Sequence, residues 1–141
     1  MTAEFSGALS AVGIDAVLAH ARRGPDRLTP REVAALGAET LVVDTRTETQ
    51  RAEQGELPGA LVIDRTVLEW RLDPSGDFRI PEATSFDIQV VVVCRQGYSS
   101  SLAAVSLRSV GLWRATDMVG GVEAWKCQGL PMQVGGGDVR R

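Results

Sequence analysis

The run Val90-Val91-Val92-Val93-Cys94 restricts the fold of this chain more than any other feature. Four consecutive β-branched residues disfavour a helix, and the lack of polar alternation requires burial on both faces, as in an inner strand of a parallel sheet. Leu41-Val42-Val43-Asp44 and Ala60-Leu61-Val62-Ile63-Asp64 repeat the pattern, and residues 116–119 offer a further strand. Parallel strands need long crossovers, usually helical. Segments with helical patterning stand between the runs: Glu48–Gln54, residues 66–72, Ser99–Val110, and residues 121–128 ended by Gly129 and Pro131. Before the first run, Ile14, Val17, Leu18 and Ala21 recur at helical spacing up to Gly24-Pro25, and Asp26-Arg27-Leu28 forms a link. Thr29-Pro30-Arg31-Glu32 then reads as a capping box opening a helix that runs to about Leu36. The expected fold is α/β, a mostly parallel sheet of four or five strands with helices on both faces.

At 141 residues the chain is too short for two full-sized domains. A single domain over residues 14–132 is expected, with residues 1–13 flexible and residues 133–141 disordered, because Gly135-Gly136-Gly137 and Arg140-Arg141 offer little apolar surface to bury. Fifteen basic against 18 acidic residues give a net charge of −3, with no surplus to neutralise a phosphate backbone, so nucleic acid is excluded as a partner. No apolar stretch approaches the ~20 residues of a membrane span, and the first residues carry neither a basic nor an apolar signal region, so the expected location is the cytoplasm. Cys94 and Cys127 are expected to be reduced thiols.

Ligands of open α/β sheets bind beyond the carboxyl ends of the strands. Asp44, Asp64 and Cys94 stand at such ends, and Cys94 also opens the short loop Cys94-Arg95-Gln96-Gly97-Tyr98-Ser99-Ser100 leading into a helix. Free amides and the positive end of the helix dipole, the conformational freedom of Gly97 and the charge of Arg95 would all favour thiolate over thiol. Position alone leaves two readings open, a nucleophile or a small buried hydrophobe.

This loop and its surroundings resemble the rhodanese family of sulfurtransferases, whose active loop has the form Cys-Arg-x-Gly-x-(Arg or Ser)-(Ser, Thr or Ala). Asp44-Thr45-Arg46, Leu57-Pro58-Gly59-Ala60, Gly120-Gly121-Val122-Glu123-Ala124-Trp125 and Gly129-Leu130-Pro131 follow the family order, and the likeness spans residues 28–131. It implies a single rhodanese-like domain. It also implies a double displacement in which Cys94 takes sulfur from a donor such as thiosulfate, holds it as a persulfide and passes it to cyanide or a thiol. The amides of Arg95, Gln96, Gly97, Tyr98, Ser99 and Ser100, with the two serine hydroxyls, would cradle the terminal sulfur anion.

Arg95 and Arg65 are expected to meet an anionic donor at the rim. Asp44 and Arg46 are expected to support the loop from the neighbouring strand end, tying it to the loop itself, to Glu48 or to Glu56. Trp70 reads as a pocket wall or core residue, Trp125 as packing and Cys127 as a bystander. The resemblance implies neither a metal nor an organic cofactor, and His20, the only histidine, excludes a two- or three-histidine metal site and reads as a surface residue. Expected partners are therefore a small-molecule or protein-bound sulfur donor and a thiol acceptor; the oligomeric state is left open. Glu56 and Ser99 depart from the residues many relatives carry, histidine and arginine. The second departure removes a positive charge from the mouth and favours a persulfide donor over thiosulfate. Two rivals remain. A cysteine phosphatase normally has an arginine six positions after the cysteine, where Ser100 stands here. A non-catalytic binding module would need neither the cysteine nor the loop.

Overall fold

The computed structural model describes residues 12–141. Its sheet contains β1 (Leu41–Asp44), β2 (Leu61–Val62), β3 (Val90–Val93), β4 (Thr116–Asp117) and β5 (Asp138–Val139), in the order β4-β3-β1-β2-β5. All pairs are parallel, with Leu41 opposite Val90, Asp44 opposite Val93 and Val43 opposite Leu61. The helices are α1 (Ile14–Ala21), α2 (Pro30–Ala34), α3 (Glu48–Gln54), α4 (Leu68–Leu72), α5 (Ser99–Val110) and α6 (Gly121–Cys127). Thr29 caps α2 through the expected box, and Thr47 with Gln50 forms a second one on α3.

The four valines of β3 are fully buried and divide between two cores as a two-residue period requires. Val90 and Val92 pack with Leu68, Leu72, Ala103 and Leu107 from α4 and α5. Val91 and Val93 pack with Val33, Val122 and Trp125 from α2 and α6. Completely burying one such side chain stabilises the fold by roughly 1.5–3 kcal/mol, so this one strand anchors both layers.

Two expectations on local structure are corrected, and the expected link before α2 gains a partner in the sheet. The segment 66–72 is not one helix: a 3-10 turn over Arg65–Val67 precedes α4, with Asp64 accepting from the Thr66 amide at its start. The Asp26-Arg27-Leu28 link is laid along β4, where the Leu28 amide donates to the Asp117 carbonyl at 3.0 Å and the Leu28 carbonyl accepts from Val119 at 2.8 Å. Residues 133–141 are not a disordered tail, since they supply β5 against the open edge of β2. The Arg140 amide donates to Val62 at 2.8 Å, and its guanidinium pairs with Glu82 and Asp138. A strand edge offers backbone partners irrespective of side chain, whereas the expectation counted only apolar side chains. The expected flexibility of residues 1–11 falls outside the described residues. Among the described residues no helix is long and apolar enough to cross a membrane.

Candidate active site

Cys94 follows β3 at the carboxyl edge of the sheet, and two neighbouring elements force the next residues into a curl. At the start of α6 the Val122 amide donates to the Cys94 carbonyl at 2.9 Å, and the Glu123 amide donates to the Arg95 carbonyl at 3.0 Å. Two carbonyls are thereby drawn to one side. Gly97 completes the turn at φ +83°, and a Cβ there would lie 2.6 Å from the Gly120 nitrogen, so only glycine satisfies both the dihedral and the space. Its amide donates to Cys94 Sγ at 3.1 Å. Its carbonyl, facing the opposite way, accepts from Arg22 at 2.8 Å and Arg27 at 3.0 Å.

Helix α5 starts after Tyr98 with no side-chain cap, which leaves first-turn amides available to an anion. Cys94 is 6% exposed. Burial pushes its thiol pKa up, but hydrogen bonds from the Ser100 and Ser99 hydroxyls and from the Ser100 and Gly97 amides outweigh it. The net effect holds Cys94 below the usual thiol range. Its sulfur also lies 3.2 Å from the Ser100 hydroxyl.

The structure distributes the expected site residues unevenly around this sulfur. Gly97 and Ser100 meet it from buried positions and Ser99 from an exposed one, while Gln96 and Tyr98 stand on the exposed rim. The two expected rim cations are ion-paired: Arg95 Nε lies 3.1 Å from Glu123, which Gln96 also approaches, and Arg65 lies 3.0 Å from Glu69. Asp44 and Arg46 form a fully buried pair at 2.8 Å, and Arg46 continues to Gln54 and the Gly55 carbonyl. That corrects the expected link to Glu48 or Glu56, since Glu56 pairs with Arg51 instead. Asp64 is exposed, and among the described residues its carboxylate bonds only Thr66. Trp70 is 60% exposed, so it is no core residue, whereas Trp125 is buried and donates to the Pro131 carbonyl. His20 and the free thiol of Cys127 are exposed. A cleft of about 1050 Å³ bounded by Arg51, Lys126, Val139 and Arg140 does not include Cys94.

Sequence reasoning missed the group below the loop. Asp117, 2% exposed, accepts from Arg27 Nε at 2.8 Å, from Ser100 at 2.7 Å and from Ser101 at 2.9 Å, while Arg22 reaches Ser101 at 3.0 Å. The one available signal was Leu28, an apolar residue isolated between polar neighbours, which pairs with Met118 and so delivers Arg27 to Asp117.

Comparison with known proteins agrees with this architecture. A structure from Rhodopseudomonas palustris, of a protein of unknown function described as a possible tyrosine phosphatase, superposes with a TM-score of 0.78. It is 29% identical, over 86% of this chain and 95% of that one. A thiosulfate sulfurtransferase from Pseudomonas aeruginosa shares the fold at TM-score 0.61 and 22% identity, over 84% of this chain and 22% of that one. A sulfurtransferase from Allochromatium vinosum is 34% identical over 94 residues, which are 67% of this chain and 78% of that protein. The adenylyltransferase and sulfurtransferase UBA4 from Lodderomyces elongisporus is 30% identical over 104 residues, 70% of this chain but only 23% of that protein. Residues 29–128 match the rhodanese-like domain model, a span that runs from the cap of α2 past the end of α6 and contains β3, the loop at Cys94 and Asp117, so the chain belongs to the rhodanese-like domain family.

Proposed function

We propose that this chain is a sulfurtransferase that carries sulfane sulfur as a persulfide on Cys94, from a thiosulfate-like or persulfide donor to a thiol or cyanide acceptor. One observation supports this above the others: a cysteine sulfur at a strand end, met by the Gly97 amide at 3.1 Å and set before the uncapped start of α5. Such surroundings favour a sulfur-centred anion. In the first half-reaction the Cys94 thiolate attacks the outer sulfur of the donor. The new S–S bond forms as the donor's sulfur–leaving-group bond breaks, and the electron pair departs with sulfite or a thiolate. In the second, the acceptor attacks the outer sulfur and returns the electron pair to Cys94.

Donor choice follows from the rim. Arg95 and Arg65 already have carboxylate partners, so a dianion such as thiosulfate meets little free positive charge. A persulfide on a small thiol or a protein is the preferred donor class. Its thiols being free, the chain suits a reducing compartment, and we assign it to the cytoplasm.

The likeness to a possible tyrosine phosphatase favours a second reading. Against it, Ser100 stands where a phosphate-clamping arginine is required, with the Asp117 carboxylate 2.7 Å behind it. Initial rates of sulfur release from a persulfide donor and from thiosulfate, measured beside aryl phosphate hydrolysis, decide between them. Sulfur transfer lost in Cys94→Ser is the expected result. Aryl phosphate turnover without sulfur transfer would overturn the proposal.

A further inference from the structure

Ser100 has a single hydrogen to donate and two claimants for it. The residue is completely buried, with its Oγ 2.7 Å from Asp117 Oδ2 and 3.2 Å from Cys94 Sγ. Asp117 is ion-paired with Arg27, at 2.8 Å to Oδ1 and 3.1 Å to Oδ2, and an ion-paired carboxylate can only accept. The serine hydrogen therefore points at Asp117, leaving an oxygen lone pair toward the sulfur. A thiol is satisfied by that arrangement, because its S–H can donate to Ser100. A thiolate needs the reverse, a hydroxyl that turns from the carboxylate to the sulfur.

We propose that Asp117 is a positioning residue that controls the charge of Cys94 through the Ser100 hydroxyl, favouring every state in which Sγ is uncharged. The idea rests on the sulfur-carrying reading for its place in a cycle, though its geometry does not. The Ser100 hydroxyl stabilises the thiolate only in the orientation that faces it, and Asp117 opposes that orientation. Once Sγ has bonded the donor's outer sulfur, the negative charge resides on that outer atom, Sγ is neutral, and the hydrogen returns to Asp117. When the acceptor removes the outer sulfur, the electron pair returns to Sγ and the hydroxyl turns back. No proton leaves the Ser100–Asp117 pair. Two consequences follow: the loaded form gains over the free thiolate, and the thiolate is more basic than it would be without Asp117, which keeps its intrinsic nucleophilicity higher.

Other charges stand on the elements next to this group: Arg22 on the Gly97 carbonyl from the end of α1, Arg27 on the same carbonyl and on Asp117, Arg108 of α5, which feels the Asp117 charge, the Asp44–Arg46 pair at the end of β1, and the Arg95–Glu123 pair at the mouth. Substitution at Asp117 or Ser100 leaves each of them in the chain. The pH dependence of Cys94 alkylation by iodoacetamide, in a Cys127→Ser background with a single thiol, is the test. Asp117→Asn should move the midpoint down by about one pH unit, because a neutral carboxamide loosens the hold on the serine hydrogen. In Ser100→Ala, adding Asp117→Asn should leave the midpoint where it was. An equal downward shift in both backgrounds would overturn the proposal in favour of charge acting through space, and so would no shift in either.

A second measurement does not depend on Asp117→Asn folding. At acid pH the infrared S–H stretch of Cys94, assigned by its loss in Cys94→Ser, should lie at a lowered, hydrogen-bonded frequency and rise to the free value in Ser100→Ala. A free S–H stretch in the otherwise unaltered protein would overturn the proposal. Neither measurement involves sulfur transfer, so a chain that fails to take up sulfur but shows this coupling refutes the sulfurtransferase reading alone.

Discussion

The charges beneath the loop at residues 94–100 and those at its mouth are built from the same residue types but stand in different solvents. Below, the Arg27 and Asp117 side chains are 19% and 3% exposed, and the neighbouring Asp44–Arg46 pair is wholly enclosed. At the mouth, Arg95 and Glu123 are 47% and 43% exposed. Buried partners cannot exchange one another for water, so each is held where its partner requires it. Exposed partners can, and a pair of that kind contributes only about 0–1 kcal/mol. The underside thus sets the geometry of the loop, while under the proposed function the mouth would select the donor.

That contrast orders the expected effects of substitution. Arg46→Met strands the Asp44 carboxylate in the interior and should cost about 3–5 kcal/mol of stability in urea unfolding. A cost near that of a surface substitution would show that the enclosed pair does not support the site. Gly97→Ala places a side chain at positive φ against the Gly120 nitrogen and should cost at least about 1–3 kcal/mol, with slower alkylation of Cys94 as its amide moves from the sulfur. Unchanged alkylation would remove that amide from the account.

The thiol itself supplies a pH-dependent term between these extremes. Its folded pKa lies below that of the unfolded chain, about 8.5, so the folded state binds the proton less tightly. The stability this provides relative to Cys94→Ser is complete above the unfolded pKa and disappears as pH falls through the folded one. Urea midpoints of the two proteins should diverge in alkaline and converge in acid buffer, and the opposite trend would contradict a stabilised thiolate. The smallest effect belongs to the mouth: Glu123→Gln should change stability by less than about 1 kcal/mol while freeing Arg95 and raising the rate with thiosulfate. If that rate does not rise, Arg95 is not the group that meets an anionic donor.

Legibility in the sequence followed the range of the interactions. The unbroken β-branched run at Val90, the capping residue Thr29 and the spacing of α5 are local signals, and each lies where its pattern placed it. Cys94 and Gly97 were visible for the same reason, since a strand, a turn and a helix start fall within ten residues. The Arg27–Asp117 pair joins residues 90 positions apart and carries no local pattern. Nor could the ion pairing of Arg95 be read from the order of residues, because Glu123 becomes its partner only through the course of α6, whereas Arg65 and Glu69 stand four residues apart, a spacing the sequence does carry. Strand β5 escaped because backbone pairing to an open edge needs no apolar side chain, and Val139 alone gives no periodicity.

The central claim is that residue 94 bears a sulfur anion able to accept a second sulfur. Intact-protein mass spectrometry after incubation with a persulfide donor or thiosulfate tests it directly. The account predicts a gain of one sulfur atom, removed by cyanide, retained in Cys127→Ser and absent in Cys94→Ser. A Cys94→Ser protein that still gained the sulfur, or an unaltered chain that gained none from either donor, would contradict it.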